Sequence, residues 1–313
     1  MDNPLTKTLR KDKPPILKRV GKAAVALVAA TATLLSGMVT AGSALAVTSQ
    51  GHPGYNTSAF TYGTFHTGDN YIDIGVVGYP NGKPAYCINL GEIYTGSGTW
   101  ATQLATGNWK IAAVMVDRNQ NNNDDMTQAG VAYAIHDHLD VSNSGGGTNP
   151  GIWNAFKAQG EIHAPGGKAA VAQKAAELWN DAVAHTTSNI KATYNYTKGK
   201  RTGTANPGVM NSSGQYISGV RYTLTLVGPA KFDATGTNTY TGVTTGGEEH
   251  IPWTATGNGT VTYTNKVSVP RVAKLNSPGQ DVIQIADPEN QSANISFQVQ
   301  KDFQPTVTTK VNS

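Results

Sequence analysis

Chemistry in this chain has to be sought around one sulfur atom. Cys87, in the run Tyr86-Cys87-Ile88-Asn89, is the only cysteine among 313 residues, so no internal disulfide is open to it. Four fates remain for such a thiol: an inert buried group, a disulfide to another chain, a catalytic nucleophile, or a bond to a non-cysteine side chain. The last needs an acyl group, and Gln128 is the candidate. A carboxamide attacked by a thiolate can lose ammonia and become a thioester. His136 and His138, with Asp137 and Asp140 nearby, form a second set. His136 could serve Cys87 as the base of a cysteine peptidase or amidase. Against a metal centre stand the divergence of positions i and i+2 on a helix and the lack of a third ligand at suitable spacing. No metal and no cofactor is expected.

The elements that would position these residues are legible in the spacing. Tyr71 to Tyr79 alternates apolar and polar residues, Pro80-Asn81-Gly82-Lys83-Pro84 reads as a turn, and Ala85 to Ile88 as the next strand. On that strand Tyr86 and Ile88 point to the face opposite Cys87. Trp109, Ile111, Ala112, Val114 and Met115 have helical spacing, and the polar run from Asp117 to Asp125 reads as a loop. A second helix is expected from Asp125, taken as its N-cap, through Leu139. Gln128 shares a stripe with Val131, Ala132, Ile135 and Leu139. An amide buried there without partners costs roughly 2–7 kcal/mol. It must therefore reach water, cap a backbone group, or be converted into something else.

Further helices are expected around Ile152, Trp153 and Phe156 and from Ala169 to Ala184. Near residue 190 the texture changes to short strands between Gly, Asn and Pro turns: Val220–Val227, Gly259–Thr264, Lys266–Val269 and Asn294–Val299. That pattern implies an antiparallel β-sandwich.

The amino terminus carries an expectation about the compartment. Seven cations from Lys7 to Lys22 stand against Asp2 and Asp12, a net of +5, and Ala23 to Ala46 is uncharged and closes on Ala44-Leu45-Ala46. This reads as a secretory signal peptide, residues 1–46, with membrane contact only before cleavage; the alternative is a retained membrane anchor, since Ala23 to Ala46 is long enough to span a bilayer. Removal of the signal peptide takes the formal charge from +4 to −1, which excludes a basic surface for nucleic acid. Sparse charge with 35 glycines and one cysteine suits an extracellular β-rich protein without disulfides.

Together, Tyr86-Cys87-Ile88-Asn89 and the helix opening Thr127-Gln128-Ala129 and continuing Val131-Ala132-Tyr133-Ala134-Ile135-His136 resemble the thioester domain of Gram-positive surface adhesins. The likeness is to the actinobacterial form with a Thr-Gln-x-Ala motif, although Gly130 replaces the motif's last alanine. The resemblance covers about Tyr55 to Ala184. It implies an α+β thioester domain (47–190, a β-sheet with packed helices) followed by an all-β immunoglobulin-like sandwich as a stalk module (191–303), with 304–313 a linker or the start of a further module. It also implies a Cys87–Gln128 thioester, with Tyr86, Tyr133 and His136 as auxiliary candidates, and an isopeptide bond in the stalk module, for which Lys198 or Lys200 with Asn294, and Glu248 or Asp233 as the acid, are nominal candidates. A thioester must be kept dry, and Trp109 and Trp153 are, with Tyr86 and Tyr133, the aromatic candidates for excluding water. The function implied is covalent adhesion to lysine amines of a host or surface protein by a monomer that is secreted or held at the cell surface or wall. Such a binder acts once and is not an enzyme. The rival readings are a secreted cysteine hydrolase of the envelope and an inert structural module.

Overall fold

The computed structural model describes residues 51–63, 65–66, 72–90, 99–102, 106–140, 151–276 and 279–300. The expected signal peptide, 1–46, and the expected linker, 304–313, lie outside them. Short strands open the described chain: β1 (Gly54–Asn56), β2 (Thr61–Tyr62), β3 (Phe65–His66), β4 (Asp73–Gly75), β5 (Ala85–Cys87) and β6 (Thr99–Thr102). Four helices follow, α1 (Asn108–Asn119), α2 (Asp125–Leu139), α3 (Ile152–Gln159) and α4 (Gly167–His185). The remainder is β: β7 (Asn189–Tyr196), β8 (Thr202–Met210), β9 (Ser218–Val227), β10 (Ala230–Phe232), β11 (Thr239–Thr245), β12 (Ile251–Ala255), β13 (Gly259–Asn276) and β14 (Val282–Val299). The fold is thus mixed, with four helices and several antiparallel sheets among the described residues.

Two local features differ from the sequence expectation. Helix α1 runs on through Asp117, Arg118 and Asn119, because those polar residues face outward without ending the helix: Arg118 Nε donates to Asp181 Oδ2 of α4 at 2.8 Å. The N-cap of α2 is Asp124, one residue earlier than expected, and its carboxylate accepts from the Thr127 amide at 2.8 Å and hydroxyl at 2.7 Å.

The β-rich part forms a four-stranded sheet, β10-β12-β8-β7, and a six-stranded sheet, β11-β9-β13-β14-β5, with β6 also on β13. Trp253 and Ala205 from the first sheet and Leu224, Tyr263 and Phe297 from the second share one apolar cluster. The β13–β14 hairpin crosses the boundary expected at residue 190. Its register shifts between Val269 and Arg271, around Pro270, which has no amide proton to give the ladder. Above that irregularity the hairpin faces the sandwich core. Below it, Val272, Ile283 and Ile285 join the helical core, and β5 and β6 pair with the hairpin's two strands. The residues proposed for an isopeptide bond, Lys198, Lys200, Asp233, Glu248 and Asn294, are all exposed. That leaves no dry site in which a lysine would lose its charge.

Helix α2 is the centre of the helical half. Every residue from Thr127 to His136 is buried, so a single apolar stripe understates it: the helix packs on α4 as well as on the strands. Gly130 is where α4 comes closest, since a Cβ there would stand 2.8 Å from Lys174 Cγ, 3.1 Å from Leu178 Cδ1 and 3.3 Å from the Ala175 amide nitrogen. The missing side chain costs helix propensity of about 1 kcal/mol relative to alanine and is repaid as close packing. Gly130→Val is expected to destabilise the fold by about 1–3 kcal/mol through overpacking, as read in a denaturant titration. A variant as stable as the wild type would show that α4 can move away.

Candidate functional site

Strand β5 is the wall on which the candidate residues are arranged. It pairs with β14 in the register Ala85 to Gln284, Tyr86 to Ile283 and Cys87 to Val282. Beyond the strand the register is locked by Ile88 N donating to Asp281 O at 3.0 Å and by Asp281 N donating to Asn89 Oδ1 at 2.8 Å. Because side chains alternate along a strand, two different surroundings meet at this wall.

On one face, Tyr86 projects into the helical core. Its hydroxyl donates to Gln128 Oε1 at 2.5 Å. The Gln128 amide nitrogen donates to the carbonyl of Asn119, the last residue of α1, at 2.9 Å, and also to the carbonyl of Asn122. Gln128 is 1% exposed. The carboxamide is therefore bonded through both its oxygen and its nitrogen, and it ties the end of α1 and the following loop to β5. Burial, with the nearby Tyr79 adding, raises the Tyr86 phenol well above its ordinary range. It thus remains a hydrogen-bond donor throughout the physiological pH range.

On the other face, Cys87 lies 3% exposed in a small apolar patch with Val77, Ala85, Leu275 and Val282, against which Trp100 packs. Its thiol lies 3.3 Å from the Asn89 carbonyl oxygen. The structure thus brings the two sequence motifs to one strand–helix contact, but it is Tyr86, and not Cys87, that meets Gln128. The two side chains of the expected bond lie on opposite faces of β5.

The other candidates fall on the helical side. His136 Nδ1 is 2.7 Å from Asp140 Oδ2, its ring stacks on Trp153 at 4.7 Å, and Asp140 also accepts from Leu90 N at 3.2 Å. Tyr133 meets Trp153 edge-on at 4.8 Å, and burial, followed by the Asp137 charge, pushes its pKa up to about 12. Trp109 is partly buried against the same core. His138 instead stacks on Trp179 at 3.7 Å, so the two histidines turn to different surroundings. His136 thus packs on Trp153 of the helical core, whereas Cys87 belongs to the separate apolar patch on the other face of β5.

The sequence grouped Asp140 with the histidines but missed Gln284. Asp140 holds His136 from one helical turn away, at i,i+4 spacing. Gln284 is 5% exposed, with no hydrogen-bond partner for its Oε1 among the described residues. A glutamine inside the apolar run Val282-Ile283-Gln284-Ile285 was the signal there.

No protein-family model matches the chain, and no curated protein matches it. Among solved structures it is similar to the thioester domain of the Enterococcus faecium TIE86 protein, with a TM-score of 0.37 and 13% identity over 71% of this chain and 84% of that one. It is also similar to the Bacillus anthracis TIE protein, with a TM-score of 0.42 and 10% identity over 79% and 49% of the two chains. A beta-glucuronidase from glycoside hydrolase family 2 matches at a TM-score of 0.24 and 16% identity, over 38% of this chain and 12% of that one. Likenesses at these scores carry no argument about function, which has to come from the residues.

The Gln128 hydrogen bonds are open to direct measurement. Tyr86→Phe leaves the Gln128 oxygen buried without its donor and is expected to cost about 1–3 kcal/mol of folding stability. Urea unfolding of the variant at neutral pH reads this loss, and an unchanged midpoint would remove the link from α1 to β5.

Proposed function

We propose that the chain is an exported surface adhesin module that captures a target amine through an internal thioester formed on Cys87. The observation that supports this reading is the position of the chain's sole thiol. It is 3% exposed, in an apolar patch, on a strand packed directly against the helix that opens with Thr127-Gln128. A thioester needs such dryness to survive hydrolysis. The leader sequence supports export, and the strands that follow the helices, paired in two antiparallel sheets, suit an immunoglobulin-like stalk module.

The chemistry is single-use. The Cys87 sulfur attacks a glutamine Cδ, the C–N bond breaks, and ammonia leaves with the thiol proton. Later a primary amine, a lysine of the target, attacks the same carbon. An amide forms, the C–S bond breaks, and the sulfur regains a proton. No step regenerates the thioester, so the module does not turn over.

With Gln128 as the acyl residue, β5 would have to slip by one position, since a one-residue shift exchanges the faces of every side chain on a strand. Cys87 would then take the place that Tyr86 holds now. The slip breaks the Tyr86–Gln128 bond and both hydrogen bonds to Asp281.

Intact-mass measurement tests the reading. The mature wild type is expected to be one ammonia lighter than its sequence mass and to add one methylamine, whereas Cys87→Ala has its full sequence mass and adds none. A wild-type chain at full sequence mass that is inert to methylamine would overturn covalent capture.

A further inference from the structure

We infer that the acyl partner of Cys87 is Gln284 of β14. The inference rests on the thioester reading above and names a different carboxamide for it.

Cys87 stands opposite Val282 and Ala85 opposite Gln284. Residues paired across an antiparallel ladder share a face, so Ala85, Cys87, Val282 and Gln284 all project to one side, the side away from Gln128 and the helical core. Cys87 and Gln284 are diagonal neighbours on that face. Diagonal positions lie about 7–8 Å apart, within reach of long side chains. A glutamine spans that gap where an alanine or serine would not. The existing register suffices: the Ile88–Asp281 and Asn89–Asp281 hydrogen bonds stay in place.

The state of the two carboxamides points the same way. The Gln128 amide is bonded at its oxygen and twice at its nitrogen. Converting it to a thioester removes the nitrogen and breaks its hydrogen bonds to the carbonyls of Asn119 and Asn122. Gln284, by contrast, buries an amide oxygen that no hydrogen bond satisfies among the described residues. Its conversion removes the polar NH2 and leaves an acyl group in an apolar patch lined by Leu275 and Val282 and flanked by Trp100. The reaction balances as written for the site. The sulfur adds to Gln284 Cδ, the C–N bond breaks, and ammonia leaves with the thiol proton, with no oxidant or reductant required.

Tandem mass spectrometry of the methylamine-treated mature chain decides between the carboxamides without any variant. The expected result is N-methylation at Gln284, with one Cys87 thiol newly alkylated by iodoacetamide per methylamine added. Gln284→Met, which keeps the side-chain volume in an apolar setting, is expected to have its full sequence mass and to lose methylamine uptake entirely. Gln128→Met is expected to remain one ammonia light if it folds. N-methylation at Gln128 would overturn the assignment while leaving covalent capture intact, whereas no ammonia loss in the wild type would remove both.

Discussion

The pairing of β5 with β14 is the constraint on which the rest depends. Three residues of β5, Ala85 to Cys87, are held in one register by the ladder and by two hydrogen bonds to Asp281 just beyond it. Because alternate side chains leave a strand on opposite faces, that register decides which atoms Cys87 can touch. It directs the tyrosine to the helices and the sulfur away from them. A shift of one residue would exchange the two, at the cost of the Asp281 bonds and a buried tyrosine–carboxamide link.

The same pairing explains why the helical and β-rich halves share structure. Strands β13 and β14 are each 18 residues long, far longer than a sandwich of this size needs. Their distal ends, past the irregularity at Pro270, supply the central strands against which β5 and β6 are laid. The strand that carries the cysteine therefore has its neighbour supplied from nearly two hundred residues later in the chain, across a boundary that composition places at residue 190.

This long-range pairing separates what was legible in the sequence from what was not. Helix α2 was legible because its apolar residues recur with helical period and an aspartate precedes them, and the strand around Cys87 because Pro80 to Pro84 punctuates it. The long strands were seen only in pieces: Gly259–Thr264 and Lys266–Val269 are parts of one β13. Strand β8 was passed over because Gly203, Asn206, Pro207 and Gly208 are turn residues by propensity, and it owes its extended form to pairing with β7 and β12 on either side. The site was half legible. Spacing brought out Cys87 and Gln128 and the alternation that sets Cys87 apart from Tyr86. It held nothing to say which face of β5 would meet α2, since that is settled by β14, whose register no local pattern records.

The contrast between the two glutamines shows how hydrogen bonding separates a structural carboxamide from a reactive one. An amide with every strong partner satisfied is stabilised in the form it has. A buried polar group left without any partner costs about 1–3 kcal/mol, and one whose bonds are made would have to give them up to react. Gln128 is in this position, joining the last carbonyl of α1 to the following loop and to Tyr86. A buried amide oxygen without a donor is already carrying that cost before any reaction, as at Gln284. Acylation of a neighbouring sulfur then exchanges a poorly solvated polar group for a less polar one, in surroundings that hold little water to reverse the step. A glutamine on an apolar face is therefore informative only once its partners are known, because the same burial that makes one residue a brace leaves the other poised to react.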